Sequence, residues 1–132
     1  MSVTRVAIMQ EQQARQDIDA LLKSYFDGLY HGDSTRLREV FHPQAQLFGE
    51  VRGAPYQNTL DGWLNAVANR PSPHAKGEPF QMKTLEVQLH NQIAYVRARC
   101  PMLGFNYFDY LALMHNGERW LITNKLFTHV DA

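Results

Sequence analysis

A chain of 132 residues, 45% apolar and 20% charged, has the size and make-up of one ordinary globular domain, which excludes disordered, fibrous and low-complexity classes. Thirteen basic residues balance thirteen acidic ones, so the bulk attraction used by nucleic-acid and anionic-membrane binders is missing and neither partner is expected. The single Cys100 cannot close a disulfide within the chain, and no apolar run approaches the ~20 residues of a membrane span, so a cytoplasmic setting is expected.

The first ten residues read as an N-terminal extension of the first helix or as disordered, and MSVTRVAIM lacks the h-region of a signal peptide. From about Glu11 to Tyr30, apolar residues at Ile18, Leu21, Leu22, Tyr25, Phe26 and Leu29 follow the spacing that lines one side of an α-helix. Gly32 suits a left-handed helix end, and Asp33 or Ser34 can cap a short second helix with Leu37, Val40 and Phe41 inward. Pro43 is expected to stop that helix, and residues 45–49 alternate as a strand. Asn58 then precedes a third helix with Leu60, Trp63, Leu64 and Val67 on its apolar face, ending before Pro71. The proline-rich residues 71–79 read as an ordered surface loop, and strands are expected at about 80–89, 93–100, 106–115 and 118–129. Three N-terminal helices followed by a mostly antiparallel sheet make residues 1–132 a single α+β domain.

Asn116-Gly117 is the favoured pair for a two-residue hairpin turn, which places His115 opposite Glu118 and fixes the register behind it. Leu113 then faces Trp120, Leu111 faces Ile122, Asp109 faces Asn124 and Tyr107 faces Leu126, all on one side of the sheet. That side is taken as the interior, while Phe108, Tyr110, Lys125 and their neighbours take the other. A bulge in either strand would invert part of this assignment.

The order of elements resembles the cone-shaped fold of the nuclear-transport-factor-2-like superfamily, three helices packed on a curved sheet. Within it, the stretches YFDGLYHGDSTRLREVFHPQAQL, RPSPHAKGEPF and DYLALMHNGERWLITNKLFT resemble the putative lumazine-binding family, a likeness covering roughly Ile18 to Thr128. The resemblance implies a pocket at the open end of the cone and a homodimer formed through the sheet. Because this fold hosts isomerases, dehydratases, cyclases and non-catalytic binders, the activity must be argued from the site.

Asp109 is the first candidate for that site: a carboxyl group among apolar neighbours loses hydration and becomes a usable acid or base, with Asn124 opposite to orient it. Tyr25, on the inward stripe of the first helix, can donate to a ligand carbonyl or enolate oxygen. The resemblance adds that the ketosteroid isomerases of the superfamily carry their oxyanion-binding tyrosine at the place of Tyr25, and a late acid loosely matching Asp109. Their catalytic base, at the end of the first strand, corresponds to Gly49, which has no side chain, and Glu50 is expected to face the other way. The SnoaL-like polyketide cyclases, which use a single late acid, keep a catalytic reading open.

Phe48, Trp63 and Tyr107 are candidate apolar walls of the pocket, and His42 either caps the second helix or tips into the pocket. The six histidines show no metal-ligand spacing, and no glycine-rich phosphate loop follows a strand, so neither a metal nor a cofactor is expected. The leading expectation is a cofactor-free binder of a small, aromatic or carbonyl-containing ligand, oriented by Asp109, Asn124 and Tyr25. Its alternatives are an isomerase, dehydratase or cyclase of enolisable rings with Asp109 as base and Tyr25 as oxyanion donor, and a dimerisation module without ligand.

Overall fold

The computed structural model describes residues 3–131 and has three helices packed on one face of a six-stranded, curved, mostly antiparallel sheet. In chain order these are α1 (Val3–His31), α2 (Ser34–Val40), β1 (Phe41–Val51), β2 (Ala54–Thr59), α3 (Leu60–Ala68), β3 (Lys83–His90), β4 (Ile93–Met102), β5 (Phe105–His115) and β6 (Trp120–Asp131). Strands lie in the order β2-β1-β6-β5-β4-β3, and only β1 and β6 run parallel. No helix is long and apolar enough to cross a membrane.

The stripe Ile18, Leu21, Leu22, Tyr25, Phe26 and Leu29 is buried against the sheet, as its spacing requires. Gly32 takes a φ of 64°, which ends α1, and the Asp33 carboxylate accepts the Arg36 N–H at 3.0 Å to cap α2. The second helix stops at Val40, earlier than expected, and Phe41 is already extended. Pro43 acts one residue upstream of itself, since its ring pushes His42 out of helical geometry, so Phe41 opens β1 and not the end of α2.

The sequence reading left out β2. Arg52 and Gly53 both have positive φ and fold Ala54–Thr59 back onto β1, pairing Val51 with Ala54. Arg-Gly is not a favoured hairpin pair, and Pro55 is tolerated because β2 is an edge strand. Helix α3 is capped by Thr59, its hydroxyl accepting the Gly62 N–H at 3.1 Å. The proline loop is pinned by the Tyr30 hydroxyl donating to the Glu78 carbonyl and by the Leu103 N–H donating to the Glu78 carboxylate.

The last hairpin corrects the expected register twice. The Asn116 side chain accepts the N–H groups of Glu118 and Arg119 at 2.9 and 3.0 Å, which widens the turn and sets His115 opposite Trp120. Farther along, Thr123 bulges out between Ile122 and Asn124, its hydroxyl donating to the Ala112 carbonyl at 3.1 Å. The bulge reverses the alternation of β6: Lys125 and Phe127 turn inward, while Asn124 turns outward and sits beside Gln46 and Ala112. Asp109 keeps its inward place but faces Phe127, not Asn124.

Candidate functional site

Asp109 and Lys125 are the buried charged residues of the described chain, 1% and 6% exposed, and both lie on the inner face of the sheet. A buried charge persists only with partners. The Tyr25 hydroxyl, brought by α1, donates to Asp109 Oδ2 at 2.6 Å and accepts from Lys125 Nζ at 2.8 Å. The ammonium stands 3.8 Å from the same carboxylate oxygen, and the Cys100 thiol of β4 lies 3.6 Å from it. Aromatic faces complete the enclosure, with Lys125 Nζ 4.5 Å from the ring centre of Trp63, 5.3 Å from Tyr25 and 5.4 Å from Phe127.

Burial, and then the Asp109 charge, hold the phenol of Tyr25 and the thiol of Cys100 well above their ordinary ranges. Both stay protonated at neutral pH, so each is a hydrogen-bond donor and Cys100 is no nucleophile. Burial pulls Lys125 downward, and the Asp109 charge opposes that pull.

This hydrogen-bonded set opens on a cavity of about 210 Å³. Asp109, Lys125 and Cys100 contribute to its polar side, and Trp63, Phe127, Tyr107, Leu29 and Met102 form much of its apolar wall. Tyr56 from β2 and Arg70, just beyond α3, also line it. Burial lowers the Arg70 guanidinium from its ordinary value, against the hydroxyls of Tyr107, Tyr56 and Tyr25.

Of the residues singled out from sequence, the fold brings Asp109, Tyr25, Tyr107 and Trp63 to this place. Three others lie elsewhere. Phe48 points to the outer face of the sheet and is 37% exposed, because β1 alternates from Leu47, which is buried within. Asn124 is turned away by the Thr123 bulge. His42 sits at the start of β1, where its Nδ1 accepts the Gln44 N–H at 3.0 Å, and it neither caps α2 nor lines the cavity.

Sequence reasoning missed Lys125 and Arg70. The first was hidden by the bulge; the second follows a helix end and belongs to no motif. Gly49 has a structural reason for lacking a side chain, since a Cβ there would meet the Phe127 carbonyl oxygen at 2.5 Å and its ring at 2.7 Å. The Glu50 carboxylate accepts from the Thr128 hydroxyl and the Gly53 N–H and does not line the cavity. Among the described residues, no group of three or more His, Cys, Asp or Glu side chains is placed to hold a metal ion.

The fold is shared by solved nuclear-transport-factor-2-like proteins of unknown function. One from Silicibacter pomeroyi superposes with a TM-score of 0.82 at 20% identity, over 91% of this chain and 98% of its own. Another, from Shewanella baltica, gives 0.79 at 22% identity over 94% and 97%, and one from Methylobacillus flagellatus gives 0.72 at 19% over 98% and 95%. No curated protein matches the chain. Residues 13–128 match the profile of the family described as putative lumazine-binding, and the chain belongs to that family.

Proposed function

We propose that this chain is a small-molecule-binding protein that holds a one-ring compound in the cavity beneath α3, its polar end toward Asp109 and Lys125. The observation that carries the reading is the buried Tyr25–Asp109–Lys125 set opening on an aromatic-walled cavity. Its size supports a compact ligand: a dry cavity of about 150 Å³ accepts benzene, whereas drug-sized ligands need roughly 300 Å³ or more. The family description adds a ring compound, lumazine, as a probe.

Binding is favoured over proton shuttling. The Tyr25 hydroxyl already donates to Asp109, so an oxyanion would have to compete with a carboxylate for that proton. Asp109 in turn accepts from both Tyr25 and Cys100 at the same oxygen, Oδ2, and faces the Lys125 ammonium there, which lowers the basicity a general base would need. The protonated, buried Cys100 is compatible with a reducing cytoplasm.

Titration of one-ring carbonyl compounds and lumazine, followed by tryptophan fluorescence, tests the reading because Trp63 lines the cavity. Saturable quenching is expected, lost in Ala66→Phe, which fills the cavity from α3 while leaving Asp109, Lys125 and Tyr25 in the sequence. Equal responses of wild type and Ala66→Phe to every compound would reject ligand binding and favour a dimerisation module.

The outer face of the sheet supports a second copy of the chain as partner. Phe48, Leu126 and Tyr110 are adjacent in register across β1, β6 and β5, and the Tyr110 ring lies 5.8 Å from that of Tyr95 on β4. Leu126, 47% exposed, is at the middle of this contiguous exposed apolar row, the kind of surface that a partner covers. Sedimentation equilibrium is expected to give the mass of two chains for wild type and of one for Leu126→Glu. A monomeric wild type would overturn the dimer.

A further inference from the structure

The charges lining the cavity do not cancel. Lys125 and Asp109 balance one another at 3.8 Å, which leaves Arg70 in excess. Among the described residues, Arg70 has no hydrogen-bond or ion-pair partner, although it is half-buried and its guanidinium loses hydration there. Asp61 of α3 is engaged elsewhere, with Arg38 at 2.8 Å, as is Glu50 of β1, with the Thr128 hydroxyl at 2.8 Å, and among the described residues the only carboxylate in the cavity lining is Asp109. A desolvated guanidinium without a counter-charge is costly, and the fold keeps one in the wall of an otherwise largely apolar cavity.

We infer that the ligand is an anion, a one-ring carboxylate whose charge pairs with Arg70 while its ring rests among Trp63, Tyr107 and Phe127. The inference deepens the cavity-binding reading and rests on it. Three features select this chemistry. A single unbalanced positive charge calls for a monoanion. The planar guanidinium fork matches a carboxylate in two parallel hydrogen bonds. The hydroxyls of Tyr25, Tyr56 and Tyr107 lie near enough to Arg70 to interact with it, and Arg70 also acts on Lys125, so an anion placed here would be favoured by both cations.

The test compares benzoate with its neutral, nearly isosteric amide, benzamide, by titration calorimetry on the full chain, with Trp63 fluorescence as a second readout. Benzoate is expected to bind tighter by about tenfold or more, the scale of one charge-assisted hydrogen bond. Raising the salt from about 20 to 500 mM is expected to weaken benzoate and spare benzamide. In Arg70→Met the benzoate affinity is expected to fall to that of benzamide, with Arg70→Lys between the two.

Equal binding of the two compounds by wild type, or equal weakening of both in Arg70→Met, would overturn the anion inference and leave the cavity reading intact. Binding of neither, with Trp63 silent, would overturn both. The wild-type comparison and its salt dependence stand even if an Arg70 variant fails to fold.

Discussion

Asp109→Ala is expected to destabilise the fold by about 3–5 kcal/mol in urea denaturation, the range found when one partner of a buried ion pair is removed. The loss has several parts. The Lys125 ammonium keeps its aromatic enclosure but loses its counter-charge, the Tyr25 hydroxyl loses its acceptor, and the Cys100 thiol is left facing a void. Removing both charges is a different experiment. The double variant Asp109→Asn with Lys125→Met leaves no uncompensated ion and is expected to lie within about 1.5 kcal/mol of wild type, as hydrophobic replacements of buried pairs often do.

The pH dependence has a definite sign. Burial already lowers Lys125, and without Asp109 nothing opposes that pull, so its folded-state pKa falls further below its unfolded value of 10.5. A group depressed in this way binds more protons in the unfolded chain, so stability is lost as pH falls and regained as pH rises. The deficit of Asp109→Ala relative to wild type is therefore expected to shrink as pH rises from neutrality toward the unfolded value of 10.5. A deficit below about 1 kcal/mol, or one independent of pH, would show that the two charges are not coupled in the interior.

Much of this centre was legible before the structure, and its missing half has one physical cause. Periodicity alone placed Tyr25 on the buried stripe of α1 and Asp109 on the inner face of β5, because 3.6- and two-residue repeats survive any uncertainty at the element ends. The partner of Asp109 depended on counting across a hairpin, and counting fails at a bulge. Thr123 looks like an ordinary strand residue in sequence, and only its hydroxyl bond to the Ala112 carbonyl reveals that it has left the ladder. That one residue exchanges an amide, Asn124, for an ammonium, Lys125, in the interior, and so replaces a carboxylate–amide pair by an ion pair. Arg70 was out of reach for another reason: a side chain beyond a helix end has no periodicity, and its place in the cavity wall depends on where α3 docks. Phe48 failed as a wall residue because strand parity outweighs aromatic character, Leu47 having taken the inward position.

Gly49→Ala is expected to cost about 3 kcal/mol, at the upper end of the range for forcing a methyl group into a packed interior. The position is not strained in its backbone; it is crowded. Gly49 pairs with Phe127 in the parallel β1–β6 ladder, and a Cβ would stand 2.5 Å from the Phe127 carbonyl oxygen and 2.7 Å from two atoms of its ring. The oxygen belongs to a strand with neighbours on both sides and cannot withdraw. The ring can move only by giving up its edge contact with Tyr56, 5.3 Å between centres, and its place near the Lys125 ammonium. The same crowding leaves no room for a side chain at this position: Phe127 fills the space into which one would project. Combining Gly49→Ala with Phe127→Ala separates the two clashes, since the ring disappears while the carbonyl remains. The added cost of the glycine change is then expected to fall but not vanish in a double-mutant cycle. A neutral Gly49→Ala, or a cost unchanged by removal of the ring, would contradict the close approach of β1 to Phe127.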